Sequence, residues 1–219
     1  MAGRFFSIVP AAGKSSRMGR PKLLLPFEDE RLIDRVLRAW TDSRVSQVVV
    51  IVRTHDTELR SACEKWAGNG IVIVVAPKTD PVDMTQSLQI GLRHLEDRFQ
   101  PRSDDACFFA PADLPGISTQ VIDRLCDNKL DSSRIVVPQF GDRAGHPVLF
   151  PWDLTKQIFE TGLAEGVKSI VDRSEKHPVL FAESERPTDV NTPEEYDRAA
   201  GRLVGRGKPR MDANKFGSR

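Results

Sequence analysis

A chain of 219 residues is long enough for a full hydrophobic core and short enough to form one domain. Its 32 Lys and Arg against 31 Asp and Glu leave a formal net charge of +1, so no global basic excess points to nucleic acid as a partner. No apolar run approaches the roughly 20 residues of a membrane-spanning helix, which excludes that class.

The first element is the apolar run Phe5–Val9, read as a buried strand. At about five residues it falls short of the roughly 7–15 residues of a signal-peptide core. "RLIDRVLRAW" places Leu32, Ile33, Val36, Leu37 and Trp40 on one helical face. "QVVVIV", 47–52, is a continuous β-branched run, typical of a strand covered on both faces. A helix over 56–67 follows, then the strand "IVIVVA", 71–76. Leu88, Leu92, Leu95 and Phe99 mark the next helix, and "ACFFA", 106–110, the next strand. Val121, Ile122 and Leu125 carry another helix. "RIVVP" (134–138), "PVLF" (147–150) and "PVLFA" (178–182) are later strands. The last helix begins in "NTPEEYDRAAGRL", where Thr192 caps, Pro193 suits the first turn, and Glu194 and Glu195 face the positive end of the helix dipole.

Strands alternating with helices predict a three-layer α/β sandwich on a mostly parallel, Rossmann-like sheet. Residues 1–204 read as a single domain. The tail "GRGKPRMDANKFGSR", 205–219, lacks apolar periodicity and is expected to be a disordered, solvated basic segment, the alternative being a contact with an acidic partner. Cys63, Cys107 and Cys126 are far apart, odd in number and set among apolar neighbours without metal-type spacing. They read as buried thiols of a reducing compartment, so the expected location is the cytoplasm.

In such sheets ligands bind beyond the carboxyl ends of the strands. "VPAAGKSSRMGRPKLLLPF", 9–27, lies at one such end. Gly13 lets backbone N–H groups approach an anion closely, and Lys14, Arg17, Arg20 and Lys22 add four cations within nine residues. Arg offers a fork and Lys a point charge, a combination suited to a polyphosphate. The bland reading is a solvated basic turn. A P-loop is excluded because the position five before Gly13 is Ile8, and a dinucleotide fingerprint because the position two after it is Ser15.

Further along, "ACFFAPADLPG" ends an apolar strand and presents Asp113 between Pro111 and Pro115. A carboxylate on a stiff turn at a strand's carboxyl end suits a hard cation such as Mg²⁺, which is bound by one or two carboxylates plus substrate phosphates. The alternative is an aspartate capping the following helix. "DVNTPEE" offers Asp189 and Asn191 as oxygen donors that the helix cap does not require. In "DRAGHPVLF", Gly145 and His146 precede a strand; His146 is either a positioned turn histidine or a proton carrier.

These residues together carry a resemblance. "AAGKSSRMGRPKLLLPF" resembles the signature loop of the MobA-like nucleotidyltransferases, A-A-G-x-S-x-R-M-G-x-x-K-x-L-L-P, and among them most the molybdenum cofactor cytidylyltransferases. "MTQSLQIGL" (84–92), "PADLPGIS" (111–118), "GHPVLF" (145–150) and "DVNTPEE" (189–195) follow in family order, so the resemblance covers residues 5–203. It implies a nucleotide-diphosphosugar-transferase type of fold. It also implies a reaction in which a substrate phosphate attacks the α-phosphate of CTP and pyrophosphate leaves.

On that model Ala11, Ala12 and Gly13 hold the nucleotide with Ser87, while Arg17 and Lys22 hold the triphosphate. Asp113 binds Mg²⁺ with Asp189 or Asn191 as a second oxygen ligand. Gly145, His146 and Pro147 face the acceptor, molybdopterin or its metal form, and a molybdoenzyme is the implied recipient of the product. Two departures stand out. Asp83 replaces a common glycine, which suggests a helix cap. The family's Gly-Asp-x-Gly-Ala-Arg stretch appears only as "LAEGVKS", 163–169, with Lys168 where arginine is usual. The rival readings are the same chemistry with GTP or another small phosphorylated acceptor, and a non-catalytic nucleotide-binding regulator.

Overall fold

The apolar run that opens the chain forms strand β1 (Phe5–Pro10), with Phe6, Ile8 and Val9 fully buried. A computed structural model describes residues 3–129, 132–160 and 166–201. The expected tail and Leu163–Glu165 of "LAEGVKS" lie outside the described residues. A small antiparallel hairpin, β2 (Pro26–Phe27) and β3 (Glu30–Arg31), leads into helix α1 (Leu32–Thr41). Strand β4 (Gln47–Ile51), helix α2 (Thr57–Glu64), strand β5 (Val72–Val75) and helix α3 (Met84–Phe99) follow. Then come β6 (Ala106–Phe109), α4 (Thr119–Asp127), β7 (Ile135–Phe140), β8 (Arg143–Ala144) and β9 (Val148–Pro151). The short helices α5 (Gln157–Glu160) and α6 (Gly166–Arg173), strand β10 (Lys176–Phe181) and helix α7 (Pro193–Ala199) complete the described chain.

The sheet runs β10-β7-β9-β6-β1-β4-β5, with β8 paired to β7. The β1, β4, β5 and β6 pairings are parallel, as is β7 with β10, while β9 runs antiparallel to β6 and β7. Alternation along each strand divides the core between two faces. Val9, Val48 and Val50 pack with α1, α2, α4 and α7 side chains on one side. Ile8, Val49 and Ile51 pack with Leu88, Leu92, Ile158 and Ile170 on the other. Two apolar layers flanking one sheet give the three-layer sandwich expected from the alternating pattern.

One close approach fixes α3 over the sheet. A Cβ at Gly91 would lie 2.7 Å from Ile8 Cγ2, so only a glycine lets the helix backbone come this near to β1. The first turn of α3 is therefore set beside the carboxyl end of β1. Its cap is Asp83, whose side chain accepts from the Gln86 amide at 2.8 Å, as the departure from glycine suggested. The cap of α4 is Ser118, accepting from Val121 N, so Asp113 is not spent on that helix. Thr192 and Glu195 form the capping box of α7.

Candidate functional site

Backbone hydrogen bonds tie three turns together beyond the carboxyl ends of β1 and β6. The Ala11 amide donates to Ile51 O at 2.8 Å, the Ala112 amide to Pro10 O at 3.2 Å, and the Val190 amide to Asp113 O at 3.1 Å. The loop after β1 and the turns bearing Asp113 and Asp189–Asn191 are thus one construction, although they come from distant parts of the sequence.

The basic loop is held by its apolar residues. Ser15 (φ 50°) and Gly19 (φ 64°) bracket a tight turn, Ser16–Met18, in left-handed conformation. Met18 and Leu23 are buried anchors, and Ser15 Oγ accepts from the Lys22 amide at 3.4 Å. Anchored in this way, the loop turns its cations outward and across. Lys22 Nζ reaches Asp113 Oδ2 at 2.5 Å and Asn191 Oδ1 at 3.1 Å, and Arg17 Nη2 reaches the same Asn191 oxygen at 3.1 Å. Arg20 points elsewhere, with its guanidinium over the Tyr196 ring at 5.6 Å. The Tyr196 hydroxyl donates to Pro26 O, which binds α7 to the hairpin.

Two adjoining clefts open here. The first, of about 480 Å³, is lined by Ala11–Gly13, Arg17, Lys22, Ser87, Asp113 and Asn191. The second, of about 650 Å³, has an apolar wall of Phe109, Val137, Val148 and Phe150, and carries Gly145, His146, Lys168, Arg186 and Asp189. Pro10, Asp83, Met84 and Pro111 border both. Ser87 is buried, and its hydroxyl donates to Asp83 O at 3.1 Å, so it shapes the first cleft while its proton is already engaged. Pro147 is buried behind Gly145 and His146 rather than lining the second cleft.

Val82, just before α3, and Arg186 are missing from the sequence reading, and Met84 entered it only as the first residue of "MTQSLQIGL". Val82 is 71% exposed and Met84 48% exposed, although both are large and apolar. Their signal was an apolar pair flanking the Asp83 cap on the outward side of the helix, but periodicity alone does not tell a cleft lip from open surface.

The charges on the two turns act on one another. Partial burial and the neighbouring Asp113 carboxylate push the Asp189 carboxyl above its ordinary value, against the pull of His146 and Lys22. Burial lowers the His146 imidazole, against the opposing pull of Asp189, the Phe109 carbonyl and Asp113, so the ring is neutral at pH 7. Its Nδ1 is buried without a partner. Carboxylate oxygens are hard donors of the kind a divalent cation takes. Asn191 Oδ1 accepts from both Arg17 and Lys22, and Asp113 Oδ2 accepts from Lys22 as well. Among the described residues no cluster of three His, Cys, Asp or Glu side chains is arranged to hold a metal by itself. Nor is any helix there long and apolar enough to cross a membrane.

Against known proteins, residues 7–179 match the family described as the MobA-like NTP transferase domain. The molybdenum cofactor cytidylyltransferase of Escherichia coli (strain K12) is 22% identical over 198 residues, covering 90% of this chain and 96% of that protein. The 2-C-methyl-D-erythritol 4-phosphate cytidylyltransferase of Nitrosomonas eutropha is 29% identical over 132 residues, 58% of this chain and 55% of that protein. The structure of Rv0371c from Mycobacterium tuberculosis H37Rv in complex with manganese superposes with a TM-score of 0.70 at 23% identity, covering 91% of this chain and all of that one. With the family match spanning most of the chain, the protein belongs to the MobA-like NTP transferase domain family and is one of its nucleotidyltransferases.

Proposed function

We propose that the protein transfers CMP from CTP to a phosphorylated acceptor of the molybdopterin type, releasing pyrophosphate. The observation that carries the reading is the meeting of Lys22, Arg17, Asn191 and Asp113 within hydrogen-bonding distance at the floor of the first cleft. Cations from the β1 loop and a carboxylate from the β6 turn are the groups that a triphosphate with a divalent cation requires.

On this reading the first cleft takes CTP. Arg17 and Lys22 neutralise the triphosphate oxygens, and the backbone at Ala11, Ala12 and Gly13 packs against the nucleotide. Asp113 and Asp189 hold the divalent cation, expected to be Mg²⁺; Asn191 positions the two cations instead of ligating. A cation held there supplies charge neutralisation to phosphoryl oxygens. The acceptor phosphate approaches the α-phosphate from the second cleft, and pyrophosphate leaves towards Arg17 and Lys22. Nothing in this requires a nucleophilic side chain, because positioning and neutralisation supply the rate.

The second cleft supports the acceptor class. Its aromatic and aliphatic wall suits a flat ring body, while Lys168 and Arg186 offer cations to an anionic group. Neutral His146 offers an unpartnered buried Nδ1 as a hydrogen-bond acceptor. A small polyol phosphate would leave its hydroxyls against Phe109, Val137 and Phe150 without partners, at a desolvation cost. The test is a panel of CTP, GTP, ATP and UTP against molybdopterin and a polyol phosphate, read as pyrophosphate release. CTP with molybdopterin should be the fastest pair. Preference for the polyol phosphate would remove the molybdopterin assignment, and absence of release with every pair would favour a nucleotide-binding regulator.

A further inference from the structure

Lys22 and the divalent cation make a claim on the same carboxylate. Lys22 Nζ lies 2.5 Å from Asp113 Oδ2, with the two side chains only 12% and 17% exposed. A contact this short and this sheltered from water is a strong charge-assisted hydrogen bond. It also sets a positive charge against the oxygens that a metal would share. Asp189, the other carboxylate of the pair, has no ion pair among the described residues.

We infer that Lys22 is the internal counter-ion of Asp113, which keeps free divalent cation off that carboxylate and yields it when a nucleotide's triphosphate takes over the ammonium. Metal and nucleotide then bind as one unit. The inference rests on the first cleft being the triphosphate site. The driving force for the exchange is visible in Asn191, whose one oxygen accepts from both Lys22 and Arg17 at 3.1 Å. Two cations crowded on a neutral amide repel each other, and an incoming polyanion relieves that repulsion. Asn191 also gives Lys22 a resting contact that does not depend on Asp113.

A lysine that only bound phosphate would weaken nucleotide binding when replaced and leave free metal binding unchanged. The exchange role makes the two effects opposite in sign. The test measures Mn²⁺ binding to the full chain by electron paramagnetic resonance, with and without a non-hydrolysable CTP analogue. The proteins are the native one, Lys22→Gln, Lys22→Met and Lys22→Gln/Asp113→Asn. In the native protein the analogue should tighten Mn²⁺ binding by about tenfold or more, within the usual range of coupling between sites. Lys22→Gln should bind free Mn²⁺ about tenfold tighter than the native protein and lose most of that coupling, and adding Asp113→Asn should abolish the gain.

Lys22→Met, which keeps the aliphatic stem, should behave like Lys22→Gln and serves if the glutamine variant folds poorly. Free Mn²⁺ binding no tighter in either Lys22 variant overturns the inference while leaving the proposed function standing. A gain that survives Asp113→Asn overturns it as well, by placing the metal elsewhere. Failure of the native protein to bind the analogue at all overturns the triphosphate reading itself.

Discussion

The Val190 amide donates to the Asp113 carbonyl oxygen at 3.1 Å, binding the turn after β6 to the segment that enters α7. This backbone contact holds the turn bearing Asp113 against the segment bearing Asp189, near enough for the Asp113 charge to act on the Asp189 carboxyl. Two residues 76 positions apart in sequence thus lie on joined turns, Asp113 lining the first cleft and Asp189 the second.

The loop cations should differ in importance. Lys22→Ala removes the ammonium that contacts Asp113 and Asn191 and should lower kcat/KM for the nucleotide by about 10²-fold, the scale of losing one charge-stabilising donor. Arg20→Ala removes a stacking contact with Tyr196, and should cost about 0.5–1 kcal/mol of stability while leaving kcat/KM near the native value. Steady-state kinetics and thermal melts on the two variants separate them. Equal kinetic losses would mean that the loop acts only as a diffuse positive patch.

Nucleotide choice should depend in part on Ala12, which is half-buried and lines the first cleft. A methyl group in close contact costs about 1–3 kcal/mol if the larger ligand cannot shift, or roughly 10- to 200-fold. CTP should therefore be preferred to GTP, and Ala12→Gly should gain part of the GTP activity. The comparison is kcat/KM for both nucleotides in both proteins with the same acceptor. A native preference for GTP would contradict the steric account of Ala12.

Stability should depend on a buried carboxylate remote from the clefts. Asp105 is fully buried and accepts from the Arg4 amide at 2.6 Å, Arg4 Nη2 at 2.7 Å and the Arg102 amide at 2.8 Å. Burial alone would raise its carboxyl, but these hydrogen bonds and the Arg4 charge outweigh it and hold the group below its ordinary value. Removing the carboxylate leaves the Arg4 and Arg102 amides without their acceptor, at about 1–3 kcal/mol each, so Asp105→Ala should lower Tm by roughly 10 °C. The sign with pH follows from the lowered value. The stabilisation is complete above about pH 4, the ordinary carboxylate range, and is lost as the pH falls through the lower folded-state value. Thermal melts from pH 7 to pH 2 should show a shallower acid loss in Asp105→Asn than in the native protein.

Much of this architecture was legible in the sequence, because burial writes itself into residue type. The run Val48–Ile51 is buried on both faces and reads as such, and α1 shows its apolar stripe plainly. The reversal of β9 was not legible, since "PVLF" is equally apolar in either direction and orientation is settled by the neighbours it pairs with. The two-residue strands of the hairpin carry no periodicity at all. At the site, the residue types were readable and their partners were not. Asn191 was readable as an oxygen donor, but not that it receives Arg17 and Lys22 from more than 160 residues away. Ser87 was readable as a residue of the nucleotide cleft, but not that its hydroxyl donates to the Asp83 carbonyl one turn back. Such pairings arise only when the sheet brings its strand ends together.

The most direct measurement compares pyrophosphate release from CTP and molybdopterin by the native protein and by Asp113→Asn at saturating Mg²⁺. The substitution keeps the shape of the side chain and removes the charge, and no helix cap depends on it. A bound metal contributes several kcal/mol to the transition state, and each 1.4 kcal/mol or so is tenfold in rate. Turnover should therefore fall by about two orders of magnitude or more while the melting temperature stays close to the native one. A near-native rate in Asp113→Asn would contradict the account, because the carboxylate that lines the first cleft would then have no part in the reaction.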